Sequence, residues 1–363
     1  MQSVNKDSFL SLVRLGIGHP IYAHPDKVDW NTIQTLGIRH GLSAIIIDGI
    51  EQLPENKRPP KETLLEWIGE VLQGFEYRFK MYRQTIVEMA SFYNSHGYKM
   101  MVLKGYACAL NWPKPEHRPC GDIDIWLFGK QKEADADLVK EKGVAIDKSH
   151  HHHTVFNWGG FTIENHYDFV NIHAHRSSAE LEKVFKELGK DDSYYVELKD
   201  VSNGSVIKVY VPSPNLHALF LLKHMVSHFA AAEISLRQVL DWAFFVEKHG
   251  KEVNWEWLQS VLDKYHMKEF FNIINAICVV DLGFSAGLFP TVQFLPCLKE
   301  RVLDDILEPV FVSVEPRGFF SRMIYKYKRW QGNAWKQEMC YGESRREMFL
   351  KGIWAKILKP ASL

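Results

Sequence analysis

Residues 121–125 read Gly-Asp-Ile-Asp-Ile, and this alternation constrains the chain more than any other stretch. Successive side chains of a β-strand point to opposite faces, so Asp122 and Asp124 share one face while Ile123 and Ile125 share the other. The isoleucines require a core beneath them. Two carboxylates a few ångströms apart repel unless a cation lies between them. Hard oxygen donors suit Mg2+, which keeps waters and takes phosphate oxygens as further ligands. A third acid is expected from a neighbouring strand. Glu164, in Phe-Thr-Ile-Glu-Asn-His at 161–166, shares a strand face with His166. It suits a metal ligand or a base for an attacking hydroxyl, with Asp168 as the fallback nearer the strand end. The plain reading of Glu164 is a solvent-facing acid on an edge strand.

The stretch before the acids fits the same chemistry. Lys104-Gly105 follows an apolar run at 99–103 that reads as a buried strand, and precedes a short helix. Glycine there lets a phosphate approach the backbone, a helix N-terminus offers free N–H groups, and Lys104 supplies charge. Otherwise Lys104 is an exposed lysine beside an ordinary turn. Residues 112–120 hold Pro113, Pro115 and Pro119 and must form a loop. Arg118, at the end of that loop, either steadies phosphate or is a loop charge.

The run Lys-Gly…Arg-Pro-Cys-Gly-Asp-Ile-Asp-Ile, followed by Ile-Glu-Asn-His, resembles the polymerase-beta-like nucleotidyltransferase superfamily. More narrowly, it resembles the bacterial group of uncharacterised nucleotidyltransferases. The resemblance covers about residues 99–168. It implies a phosphate-binding end at Lys104, Gly105, Arg118 and Gly121, and catalytic, metal-binding acids at Asp122, Asp124 and Glu164. It also implies two Mg2+ ions with an NTP bound, and transfer of a nucleoside monophosphate to an acceptor hydroxyl with release of pyrophosphate. The acceptor, a small molecule, a protein or an RNA, stays open. Two departures stand out: Tyr106 replaces the superfamily's Ser or Gly after the glycine, and fifteen residues separate Tyr106 from Asp122, slightly more than usual. They keep alive a rival in which a catalytically inactive relative binds a nucleotide or a partner.

Along the chain, 3.6-residue periodicity predicts helices over about 30–53, 61–96, 214 onward, 233–249 and 255–283. Short alternating runs predict strands at 99–103, 123–128, 144–147, 154–158, 162–169, 194–198 and 205–211, with Asn-Trp-Gly-Gly at 157–160 as a hairpin turn. The expected fold is α+β: a helical region at 1–98, a small mixed-sheet nucleotidyltransferase core at 99–212, and a helical region at 213–363 ending in a basic aromatic tail. The active cleft is expected between core and helices, where ligand sites often lie.

Charge separates these regions. The 363 residues carry 44 basic and 44 acidic side chains, yet residues 317–363 hold eleven Lys or Arg against three Glu. Overall neutrality argues against a nucleic-acid-binding module, but the tail keeps that reading open. The competing expectation is a terminal helix docked by its aromatics. Five scattered cysteines without a CxxC pair, and an N-terminus with Asp and Arg inside its apolar stretch, point to the cytoplasm. Among the histidines, His150–His153 read as a solvated strand beside the site in preference to a metal cluster. His224 and His228 are spaced i,i+4 but lack the glutamate of a zinc-protease motif, and His173 and His175 receive no role. Arg237 and Asp241, also i,i+4, are either a helix ion pair or, with His166, part of the acceptor cleft.

Overall fold

A computed structural model describes residues 3–19, 28–175, 177–201, 203–290, 293–311 and 316–342. The protein is α+β, with two compact units. The first gathers Met1–Glu76, Asn111–Pro119 and Leu221–Gly342; the second is built on Tyr77–Leu110 and Cys120–Phe220.

The second unit holds the sheet. Its strands are β1 (Met101–Val102), β2 (Ile123–Trp126), β3 (His153–Trp158), β4 (Phe161–His166), β5 (Tyr195–Lys199) and β6 (Val206–Tyr210). They lie in the order β3-β4-β2-β1-β6-β5. Strand β1 runs antiparallel to β2 and parallel to β6, and β2 runs parallel to β4. Both edges are antiparallel pairs. Gly159 and Gly160, at φ 58° and 81°, form the two-residue turn between β3 and β4. Both positions need left-handed backbone in a type I′ hairpin, which glycine adopts without strain. The strand expected at 144–147 is reduced to one bridge, Asp147 to Val155. The Asp147 carboxylate accepts from Ser149 N at 2.8 Å and turns the chain away.

Helices Arg78–Ser95 and Gln131–Lys142 cover one face of this sheet. Ile123, Ile125 and Ile163 are fully buried there with Tyr82, Ile86, Ala134 and Leu138. The isoleucine side of the Asp-Ile-Asp-Ile alternation therefore anchors β2 to the core, leaving the acids on the other face.

The first unit is helical among its described residues. The helix expected over 30–53 is two, Trp30–His40 and Ser43–Glu51, because Gly41 takes φ 64° and returns its N–H to the Gly37 and Ile38 carbonyls. His266, at φ 60°, similarly separates Trp255–Lys264 from Lys268–Ala276. The helix expected over 61–96 does run on, but through a π-helical stretch at Leu72–Tyr77. Such bulges fit one extra residue into a helix without ending it.

The described part of the basic tail forms helices Phe319–Gly332 and Ala334–Tyr341. The second is docked: Trp335 meets Phe229 edge-on at 5.7 Å, and buried Lys336 pairs with Asp305 at 2.5 Å. The first leaves Phe320, Met323, Ile324 and Tyr327 more than half exposed. The expected docking by aromatics thus holds for Trp335 and not for this stripe. The remainder of the tail, 343–363, lies outside the described residues. No helix among the described residues is long and apolar enough to cross a membrane.

Candidate functional site

The parallel register of β2 and β4 builds the site. Asp124 is the direct partner of Glu164, and Trp126 of His166. On the other side of β4, the hairpin pairs Val155 with Glu164 and His153 with His166. Two rows therefore cross the open face: Val155, Glu164 and Asp124 in one, His153, His166 and Trp126 in the next.

Asp124, Glu164 and His166 each place a ligand atom within 4.8 Å of the other two. The sequence assigned this convergence to Asp122, Asp124 and Glu164. Asp122 stands half-buried just before β2 and outside that trio, although its charge acts on Glu164 and Lys104. His166 takes the third place because it follows Glu164 by two residues on the same strand face.

Lys104 Nζ lies 2.9 Å from Asp124 Oδ1, and His166 Nε2 lies 3.2 Å from the same oxygen. Burial opposes the ionised form of Asp124, but Lys104 and His166 outweigh it and hold the carboxyl far below the usual range. Burial also opposes the Lys104 ammonium, and here Asp124, Asp122 and Glu164 outweigh it and raise its pKa. Glu164 is pushed up to about 7, by burial first and the Asp124 charge second. The buried Asp124 Oδ2 has no hydrogen-bond partner. An orphaned anionic oxygen costs free energy and marks a place for a cation. Asp124 and Glu164, with Asp122 nearby, are hard oxygen donors of the kind Mg2+ takes.

Gly105 opens the four-residue helix Tyr106–Ala109 with φ 58° and ψ −96°. A Cβ there would run into the Tyr82 hydroxyl, which donates to the Asp122 carbonyl at 2.9 Å. Within the structure, then, glycine is required at 105 by a buried tyrosine. Tyr106 packs in the core, stacked on Phe79 at 6.0 Å. Its phenol therefore does not replace the absent small hydroxyl. Gly121 is exposed, with open space where a Cβ would point.

Arg118 and Asp241, offered by the sequence to phosphate and acceptor, belong to the first unit and to each other. Arg118 Nε and Nη2 reach the two Asp241 oxygens at 2.7 and 3.0 Å, and Trp112 Nε1 donates to Asp241 at 2.8 Å. Both partners are about 95% buried. This bidentate pair ties the proline-rich loop to helix Leu236–His249, which also carries Arg237. Asp168, the fallback acid, pairs with Lys186 at 2.5 Å, while its carbonyl lies 3.1 Å from His166 Nδ1.

The histidine run is not a solvated strand. His151, in the bend that leads into β3, and His153, the first residue of β3, are each 7% exposed. Burial, then the neighbouring His166, lowers the pKa of His152 to about 2 and of His153 to about 3. The signal that could have found them was the hairpin: His153 and His166 are equidistant from the Gly159-Gly160 turn, so pairing places them side by side. Tyr82 carried no such signal.

The chain matches the family of uncharacterised nucleotidyltransferases over residues 26–280, a span that includes Lys104, Gly105, both aspartates and Glu164, and it belongs to that family. No curated protein matches it. Among solved structures it is similar to the crystal structure of an antigenic nucleotidyltransferase-like protein from Paracoccidioides brasiliensis. That likeness has 14% identity and a TM-score of 0.32, covering 57% of this chain and 96% of that one.

Proposed function

We propose that the second unit is the catalytic core of an Mg2+-dependent enzyme that moves a nucleoside monophosphate from an NTP to an acceptor hydroxyl, releasing pyrophosphate. The observation that carries this is the register of Asp124 beside Glu164, with a buried Asp124 oxygen left unpartnered. Asp124, Glu164 and Asp122 would hold Mg2+, two ions once the NTP is bound. The metal would supply charge neutralisation at the triphosphate and a lower pKa at the acceptor hydroxyl. Burial and the Asp124 charge push the Glu164 carboxyl up to about 7, so a bound cation would be what keeps it ionised as a ligand. Lys104 adds a cation beside Asp124, for the triphosphate to meet.

The test is release of pyrophosphate from each of the four NTPs with Mg2+, in the presence of sugars, RNA ends or the protein itself as acceptor. Turnover that Asp122→Asn abolishes while the fold survives supports the reading. Its absence with every NTP and acceptor class favours a nucleotide-binding relative without chemistry. That second reading draws on the Lys104 ammonium, which already sits on Asp124, and on Tyr106, whose side chain is in the core. Calorimetry of NTP binding with and without Mg2+ separates the two.

A further inference from the structure

Three imidazoles meet beside the carboxylates and are not needed for a hard-metal site. His152, His153 and His166 each place one ring nitrogen within 4.8 Å of the other two. Their ring centroids are 4.4, 5.5 and 5.2 Å apart. His153 is 93% buried, and neither its Nδ1 nor that of His152 has a hydrogen-bond partner. Such buried nitrogens normally find one.

The surroundings hold these rings in place. The His152 carbonyl accepts from both Tyr167 N and Asp168 N at 3.0 Å, clamping the bend to the end of β4. His153 is fixed opposite His166 by the hairpin register. His166 Nδ1 lies 3.1 Å from the Asp168 carbonyl, which can only accept, so Nδ1 carries the proton. Nε2 is the nitrogen left to face a metal, and it lies 3.2 Å from Asp124 Oδ1, which Lys104 also meets at 2.9 Å. A ring nitrogen donating to a main-chain carbonyl while the other faces a cation is the usual posture of a metal-binding histidine. Glu164 Oε2, 3.8 Å from His166 Nε2 and 3.9 Å from His153 Nδ1, stands at the fourth side with a compensating charge.

We propose that His152, His153 and His166 bind one borderline transition-metal dication of the Zn2+ class, beside the carboxylate centre. Imidazole favours such ions over Mg2+. Zn–N bonds of about 2.0–2.1 Å imply nitrogens roughly 3.4 Å apart in a tetrahedron, so nitrogens now within 4.8 Å of one another close by at most about 1.4 Å on binding. The site stands whether or not the protein transfers nucleotides, because its three ligands include neither aspartate of the proposed Mg2+ centre.

Full-length protein stripped with a chelator, then dialysed against Zn2+ in excess Mg2+, provides the test, with bound metal counted by elemental analysis. One Zn2+ per chain is expected in the wild type and in Asp122→Asn. His152→Ala and His153→Ala should each weaken binding by more than about 100-fold, since losing even an outer partner of a ligand costs 10–100-fold. His224→Ala/His228→Ala, which removes the helical pair elsewhere, should bind normally. Co2+ in place of Zn2+ should give a visible spectrum that His152→Ala alters. His152 is less buried than His153, so it keeps the test informative if His153→Ala fails to fold. No retained Zn2+ in the wild type, equal retention by His152→Ala, or loss in the His224/His228 variant overturns the proposal. NTP turnover by a protein that binds no Zn2+ would refute this site and leave the proposed function intact.

Discussion

The Tyr82 hydroxyl donates to the Asp122 carbonyl at 2.9 Å and also fills the space a Cβ at Gly105 would need. One buried phenol from helix Arg78–Ser95 thereby positions both the glycine turn and the head of the acidic strand.

Gly105→Ala should destabilise the protein by at least about 2 kcal/mol, from positive φ and the collision together. In a Tyr82→Phe background the collision is relieved, because the next atom of the ring lies 3.3 Å from the point a Cβ would occupy. The same substitution should then cost less. A double-mutant cycle by urea unfolding measures this coupling, and strict additivity would refute the steric account.

The two aspartates should separate by stability. Asp124 is fully buried and paired with Lys104 and His166. Asp124→Asn strands the Lys104 charge and should cost about 3–5 kcal/mol. Asp122, half-buried, has no comparable partner in the core, and Asp122→Asn should cost under about 1 kcal/mol. Thermal melts of both variants check this, and equal losses would contradict it.

Lys104→Ala should raise the NTP KM and lower kcat, because leaving-group charge grows in the transition state. Lys104→Arg should restore only part, since the guanidinium fork needs a different geometry. Titration of Mg·NTP into both variants and wild type decides whether Lys104 serves the nucleotide or only Asp124.

Breaking the Arg118–Asp241 pair should act on stability. Arg118→Ala takes the guanidinium from a buried carboxylate that still accepts from Trp112, and should cost about 3–5 kcal/mol. An apolar double replacement, Arg118→Met with Asp241→Leu, should recover much of that loss. A large change in NTP affinity with unchanged melting would return Arg118 to phosphate binding.

His40 gives the first unit an acid sensitivity. Its Nδ1 accepts from Leu236 N at 3.2 Å and its Nε2–H faces the Leu307 carbonyl at 3.4 Å, so the ring is neutral. Burial, then the Arg39 charge, lowers its pKa to about 4. The folded value lies below the ordinary 6.5, so the unfolded chain takes up the proton first. Stability is full above pH 6.5 and falls as pH drops toward 4, by roughly 3 kcal/mol in all. In His40→Asn this part of the pH dependence should vanish from urea midpoints measured across that range.

The strand carrying Asp124, its isoleucine anchors, the acid at 164 and the α+β class were legible in the sequence, because alternation and local turn chemistry are properties of neighbouring residues. The Gly-Gly hairpin even contained the register that sets His153 beside His166. Local pattern could not show which distant groups fill the space around those residues. Tyr82 beneath Gly105, Lys104 on Asp124, Arg118 against Asp241 and the burial of the histidine run all depend on packing between segments far apart in the chain. The division into units shows the same limit, since the first unit draws on three separate stretches. Sequence determined the chemistry available on each strand face; tertiary packing decided which charges met, because Coulomb and desolvation energies depend on distance and burial rather than on order along the chain.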